Sequence, residues 1–117
     1  MIFAQEINFP NNIFEISIED YQQKFSDSES HQLLDVREPW EIEIAHLQNY
    51  ISIPLGSLEN KQDQLSQDKW IVVYCHHGIR SLRACHLLRA KGFDKVLSLK
   101  GGIHRWSHII DPNVSIY

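Results

Sequence analysis

The chain has 117 residues, 43% of them hydrophobic and 22% charged, with a net charge of −4. That is the length of one domain, with enough apolar content for a core that needs no staples; the acidic balance excludes a general nucleic-acid binder, and two cysteines exclude a disulfide framework. Met1-Ile2-Phe3-Ala4-Gln5-Glu6 lacks a basic n-region and a sustained apolar stretch, and no apolar run reaches the ~20 residues of a membrane helix, so the sequence reads as soluble and cytoplasmic with reduced thiols.

Residues 1–12, ending in Pro10-Asn11-Asn12, read as an irregular lead-in, and residues 13–117 as one domain without repeats or linkers. Ile13 to Ile16 alternates apolar and polar residues, as a strand does. Ser17-Ile18-Glu19-Asp20 has an acid three residues after a serine, which opens a helix carrying Tyr21 and Phe25. Gln32 to Val36 reads as a buried strand. Pro39 suits a first helical position, with Trp40 to Glu43 following. Ile51 to Pro54 predicts a short strand and Leu58 to Leu65 a modest helix. Trp70-Ile71-Val72-Val73-Tyr74 is the clearest strand, rich in apolar, β-branched residues. Ser81 to Ala90 is the clearest helix. Val96 to Leu99 predicts a last strand, Gly101-Gly102 a tight turn, and Ile103 to Ile109 a closing helix that buries Trp106. Strands alternating with helices at this spacing predict an α/β fold: a central, mainly parallel sheet with helices on both faces.

Chemistry concentrates where the best strand becomes the best helix. Cys75-His76-His77-Gly78-Ile79-Arg80-Ser81 places a thiol at the carboxyl end of a strand, where ligands of such sheets bind. Unpaired N–H groups at a helix N-terminus stabilise a thiolate, the nucleophilic form. Gly78 lets the loop curl so that its amides converge on one anion. Arg80 offers a planar fork for an oxyanion such as sulfonate, and Arg83, one turn on, adds positive field. A donor must enter, so the loop is expected to leave the thiol partly open. Cys85 shares a helical spacing with Leu82 and Leu88 and is expected in the core. One of His76 and His77 is expected to tune the thiol or touch substrate, the other to face solvent. His104 and His108 lie four apart on a helix. Two ligands do not make a metal site and no third partner is evident, so no metal and no cofactor are expected. Asp35, Arg37 and Glu41 are expected to form one structural ion-pair cluster.

These segments together resemble the rhodanese family of sulfurtransferases in its single-domain form. Leu34-Asp35-Val36-Arg37-Glu38 is similar to the family's Asp-x-Arg segment. Ala45-His46-Leu47 with Ile51-Ser52-Ile53-Pro54 is similar to its Gly-His-Ile and Asn-Ile-Pro segments, although Ala45 replaces the usual glycine and Gln48-Asn49-Tyr50 the usual small residues. Residues 75–81 resemble the active-site loop, Lys91 to Val96 the exit turn, and Leu99-Lys100-Gly101-Gly102-Ile103 with Trp106 the terminal signature. The resemblance implies a small rhodanese-like α/β domain that moves a sulfane sulfur through a Cys75 persulfide. His76, His77, Gly78, Ile79, Arg80 and Ser81 then form the anion-binding loop, with Asp35, Arg37, His46 and Arg83 in support; His46 makes a structural hydrogen bond near the site. Thiosulfate is the default small-molecule donor and cyanide or a thiol the acceptor, with no membrane partner. A sulfur-relay protein is the alternative partner. A phosphatase or arsenate reductase on the same fold is the rival chemistry. Cys-x4-Arg is one residue shorter than the phosphatase loop and favours the sulfurtransferase. A non-catalytic binding module would be expected to lack the cysteine.

Overall fold

A computed structural model describes residues 12–25 and 31–117. Of the irregular lead-in, residues 1–11 lie outside the described residues; Asn12 is an exposed turn residue. Five strands form one sheet: β1 (Glu15–Ile16), β2 (His31–Asp35), β3 (Tyr50–Ser52), β4 (Trp70–Tyr74) and β5 (Val96–Leu99). The order is β1-β5-β4-β2-β3, and all four pairings are parallel. β4 sits in the middle, with Leu34 opposite Val73 and Asp35 opposite Tyr74 on one side and Val72 opposite Leu97 on the other. A central strand of a parallel sheet is covered on both faces, which is why it reads as an unbroken apolar run.

The helices are α1 (Ile18–Lys24), α2 (Pro39–Ile44), α3 (Leu58–Lys61), α4 (Ile79–Ala90) and α5 (Gly102–Ile109). Ser17 caps α1 by accepting the Asp20 N–H at 3.1 Å, as its spacing predicts. Pro39 opens α2 behind a capping box of Glu38 and Glu41. The pleat divides the core in two. Leu34, Val36, Ile71, Val73 and Cys75 point to the face covered by Leu58 of α3 and Ala84, Cys85 and Leu88 of α4. Leu33, Val72, Tyr74, Leu97 and Leu99 point to the face covered by Ile18 and Tyr21 of α1 and Ile103 of α5.

Several predicted boundaries move. The first strand shortens to Glu15–Ile16, the two residues paired in register with Ser98 and Leu99 of β5, while Phe14 adds only its carbonyl, accepting the Ser98 N–H at 2.7 Å. The predicted helix over Leu58–Leu65 is α-helical only to Lys61 and finishes as a 3₁₀ turn over Gln62–Gln64. The Ile51–Pro54 strand is Tyr50–Ser52, since Pro54 has no N–H for the ladder. α4 and α5 each begin earlier than predicted, at Ile79 and Gly102, because a glycine in left-handed conformation precedes each: Gly78 with φ 110° and Gly101 with φ 84°. Trp106 packs on the core but is half-buried. Among the described residues no helix is long and apolar enough to cross a membrane.

Candidate active site

Cys75 leaves β4 at its carboxyl end and its side chain turns back under the first turn of α4. The Gly78 N–H donates to Cys75 Sγ at 3.0 Å and the Ser81 N–H at 3.3 Å. Ser81 is the third residue of α4, so its amide is one of those that no helical carbonyl can satisfy; here the sulfur takes it. The Ser81 hydroxyl lies 3.4 Å from Sγ and 2.7 Å from Ser98 Oγ of β5. Two amides thus donate to a single sulfur, with a hydroxyl beside it, forming a polar cradle of the kind that can hold an anion. Gly78 makes the curl possible through its positive φ, and a side chain there would meet the Gly101 N at 3.3 Å.

The expectation of a partly open thiol is corrected: Cys75 is 1% exposed. Its side chain packs into the core face covered by α3 and α4, under the Gly78 and Ser81 amides, while α5 braces the loop's backbone from the other side. The Ile103 N–H donates to the Cys75 carbonyl at 2.9 Å and the His104 N–H to the His76 carbonyl at 3.1 Å. Gly102, with φ 61°, permits that approach; a Cβ there would lie 2.5 Å from both carbonyl oxygens.

The charged neighbours form two ion pairs rather than one cluster. Arg37 and Asp35 are fully buried and paired at 2.8 Å, and Arg37 also donates to the Ala45 carbonyl at 2.7 Å. Glu41 belongs instead to Arg80, which grips both carboxylate oxygens at 2.5 and 2.8 Å. Tyr117 joins the pairs: its hydroxyl accepts from Arg37 at 2.7 Å and donates to Glu41 Oε2 at 2.7 Å. The fork expected to hold a sulfonate is therefore engaged by a carboxylate. Two of its five N–H groups are used this way, and Arg80 still senses Cys75: its pKa is raised first by the Glu41 hydrogen bonds, against burial, and further by the charges of Glu41 and Cys75. Burial alone would push Glu41 up, but Arg80, the Tyr117 hydroxyl and the Glu38 N–H outweigh it and hold the carboxyl at about 2.

The remaining expected residues spread out. Ile79 is 71% exposed and, with exposed Arg83, lines a groove shared by Lys100 and Arg105. His46 is exposed; its Nδ1 bonds the adjacent Leu47 carbonyl at 2.8 Å and its ring packs near Tyr50. It lines the cavity under α1 and α5 with Tyr21 and Trp106, so its hydrogen bond is local. Cys85 is fully buried, and burial pushes its thiol up to about 11. Both cysteines are free.

A third histidine partner does exist. His76, His77 and His104 each offer a ligating atom, all within 4.8 Å of one another, while His108 turns its Nδ1 to the His104 carbonyl. Burial first, then His77 and His104, lower the pKa of His76; burial, His77 and His108 lower that of His104. Sequence reasoning also missed Ser98 and Tyr117. Ser98 had a signal, as the one polar residue of an otherwise apolar, buried strand. Tyr117, stacked on His76 at 3.9 Å and 7°, had none.

A parallel α/β domain whose central strand delivers a cysteine into a ring of loop amides defines the class of protein. The chain belongs to the Rhodanese-like domain family, whose description matches residues 17–109. It is 38% identical over 97 residues to "Putative sulfur carrier protein YrkF" of Bacillus subtilis, covering 83% of this chain and 52% of the relative, so it spans about half of that protein. It is 33% identical over 93 residues to "Sulfurtransferase" of Allochromatium vinosum, covering 80% and 87%. The crystal structure of a rhodanese-related protein from Thermoplasma volcanium superposes with a TM-score of 0.76 at 32% identity, covering 89% of this chain and 99% of that one.

Proposed function

We propose that this chain is a sulfurtransferase that carries a sulfane sulfur as a persulfide on Cys75. The observation that carries the reading is the convergence of the Gly78 and Ser81 N–H groups on Cys75 Sγ. In the first half-reaction the thiolate attacks the outer sulfur of a donor such as thiosulfate. The new Cys75 S–S bond forms as the donor S–S bond breaks, and sulfite leaves with the bonding pair. In the second, an acceptor such as cyanide or a thiol attacks the outer sulfur and Cys75 returns as thiolate. This is double-displacement covalent catalysis. The loop amides cradle negative charge throughout, the Ser98–Ser81 hydroxyl pair orients one more donor toward the sulfur, and Glu41 holds Arg80 in place beside it. No general base is required, because the nucleophile and the leaving sulfur are both anions. The Cys-x4-Arg loop and the Glu41 grip on Arg80 speak against phosphate as substrate. The reading needs a reduced thiol, as the cytoplasm keeps it.

Intact mass spectrometry after incubation with thiosulfate tests this. Cys75 should gain one sulfur atom that cyanide removes; a mass that never changes with any sulfane donor would end the reading.

A sulfur-relay role is the second reading, and Ile79 favours it. A large apolar side chain 71% exposed beside Arg83, Lys100 and Arg105 is the sort of surface a protein partner covers, and one relative carries the name of a sulfur carrier. Loading from a protein persulfide at a far higher kcat/KM than from thiosulfate would favour the relay. A rate lower than that with thiosulfate would remove it.

A further inference from the structure

We propose that His76, His77 and His104 form a three-imidazole site for a divalent transition-metal ion of the zinc class, at the mouth of the Cys75 loop. The three rings come from two segments that the main chain already locks together. The His104 N–H donates to the His76 carbonyl at 3.1 Å, the Ile103 N–H to the Cys75 carbonyl at 2.9 Å, and Gly102 lets the backbones touch. The histidines are thereby gathered before any ion arrives. Ring centroids are 4.0 Å apart for His76 and His77, 4.7 Å for His77 and His104, and 5.7 Å for His76 and His104.

A second observation points to a ligand. His76 Nε2 and His104 Nδ1 are buried and have no hydrogen-bond partner. Buried polar atoms are almost always satisfied, and an exception needs an explanation; a cation between the rings supplies one for both. Tetrahedral zinc at ~2.0–2.1 Å from each nitrogen sets neighbouring ligands roughly 3.4 Å apart. The trio lies within 4.8 Å, so ring rotations of about an ångström close it, and exposed His77 is free to make most of that movement. Stacking on Tyr117 at 3.9 Å fixes the His76 ring. Three imidazoles suit zinc, cobalt, nickel or copper and not the hard oxygen-seeking cations. The fourth position stays open, because the gathered ligand atoms are those of His76, His77 and His104 and do not include His108. The site does not depend on the sulfur-transfer reading, since it uses no sulfur ligand.

The test uses untagged protein carrying Cys75→Ser, which removes the nearby thiolate as a rival ligand. Zinc is titrated in competition with a chromophoric chelator, and cobalt is read by its visible absorption. The expected result is one zinc per chain and a tetrahedral cobalt spectrum without thiolate charge transfer. His77→Gln and His104→Gln should each weaken zinc at least as much as the ~10–100-fold that loss of an outer-shell partner costs, while His108→Gln leaves affinity unchanged. His77 is exposed, so its variant folds even where another does not; circular dichroism checks each. Absence of zinc uptake by the Cys75→Ser protein, or an affinity that survives both His77→Gln and His104→Gln, would overturn the proposal.

Discussion

Replacing Glu41 by Gln removes the charge from a carboxylate that is 2% exposed and gripped by both Arg80 nitrogens. Its carboxyl titrates at about 2 in the folded chain, against an ordinary 4.5. A group held below its unfolded value stabilises the fold fully above that value, and the stabilisation is lost as pH falls toward the folded one. The difference is worth on the order of 3 kcal/mol at neutral pH. The Arg80 side chain is 33% exposed, so solvent screening makes this an upper figure. By the same linkage, about 2 kcal/mol of it is gone at pH ~3. Urea unfolding followed by tryptophan fluorescence, at steps between neutral pH and pH ~3, reads this directly. The wild type should exceed Glu41→Gln by about 2–3 kcal/mol at pH ~7 and by about 1 at pH ~3. A gap of constant size across that range would refute the reasoning, because a neutral packing defect does not titrate. The cycle closes on the partner: Arg80→Ala strands a buried carboxylate, and adding Glu41→Gln should recover stability, with a coupling of about 1–3 kcal/mol.

Three further outcomes follow from the same contacts. Cys75→Ser should abolish sulfur loading by mass spectrometry with an unchanged fold, while Cys85→Ala, a fully buried truncation, should keep loading and lose about 1 kcal/mol in urea. Ser98→Ala removes the 2.7 Å partner of Ser81 Oγ and should cost about 1 kcal/mol and slow persulfide formation by stopped-flow alkylation; loading at the wild-type rate would mean that the hydroxyl pair only packs. Gly102→Ala forces a Cβ against two carbonyls at 2.5 Å in left-handed backbone and should cost more than about 2 kcal/mol by thermal unfolding, whereas Gly56→Ala, with nothing within 4 Å, should be neutral to slightly stabilising.

Much of this protein was written in local pattern. Trp70–Tyr74 reads as a strand from its own residues, a short apolar run rich in β-branched side chains, and it occupies the residues the sequence predicts. Ser17 and Pro39 mark helix starts by chemistry that acts within one turn. The loop amides reach Cys75 from three and six residues away, so the sulfur cradle is a local object too. The depth of Cys75 was not local: a strand-end thiol is covered only when residues distant in the chain, among them Val36, Ile53 and Leu58, pack on the same face of the sheet. Arg80 found Glu41 across 39 residues, and Tyr117 reached Arg37 across 80. No periodicity encodes which carboxylate a guanidinium will meet, since Asp35 and Glu41 are equally acidic on paper. The same holds for the histidines, where spacing paired His104 with His108 on one helix. Tertiary structure kept that neighbour and added His76 and His77, because a parallel sheet brings the carboxyl ends of β4 and β5, and hence the starts of their following segments, to one edge.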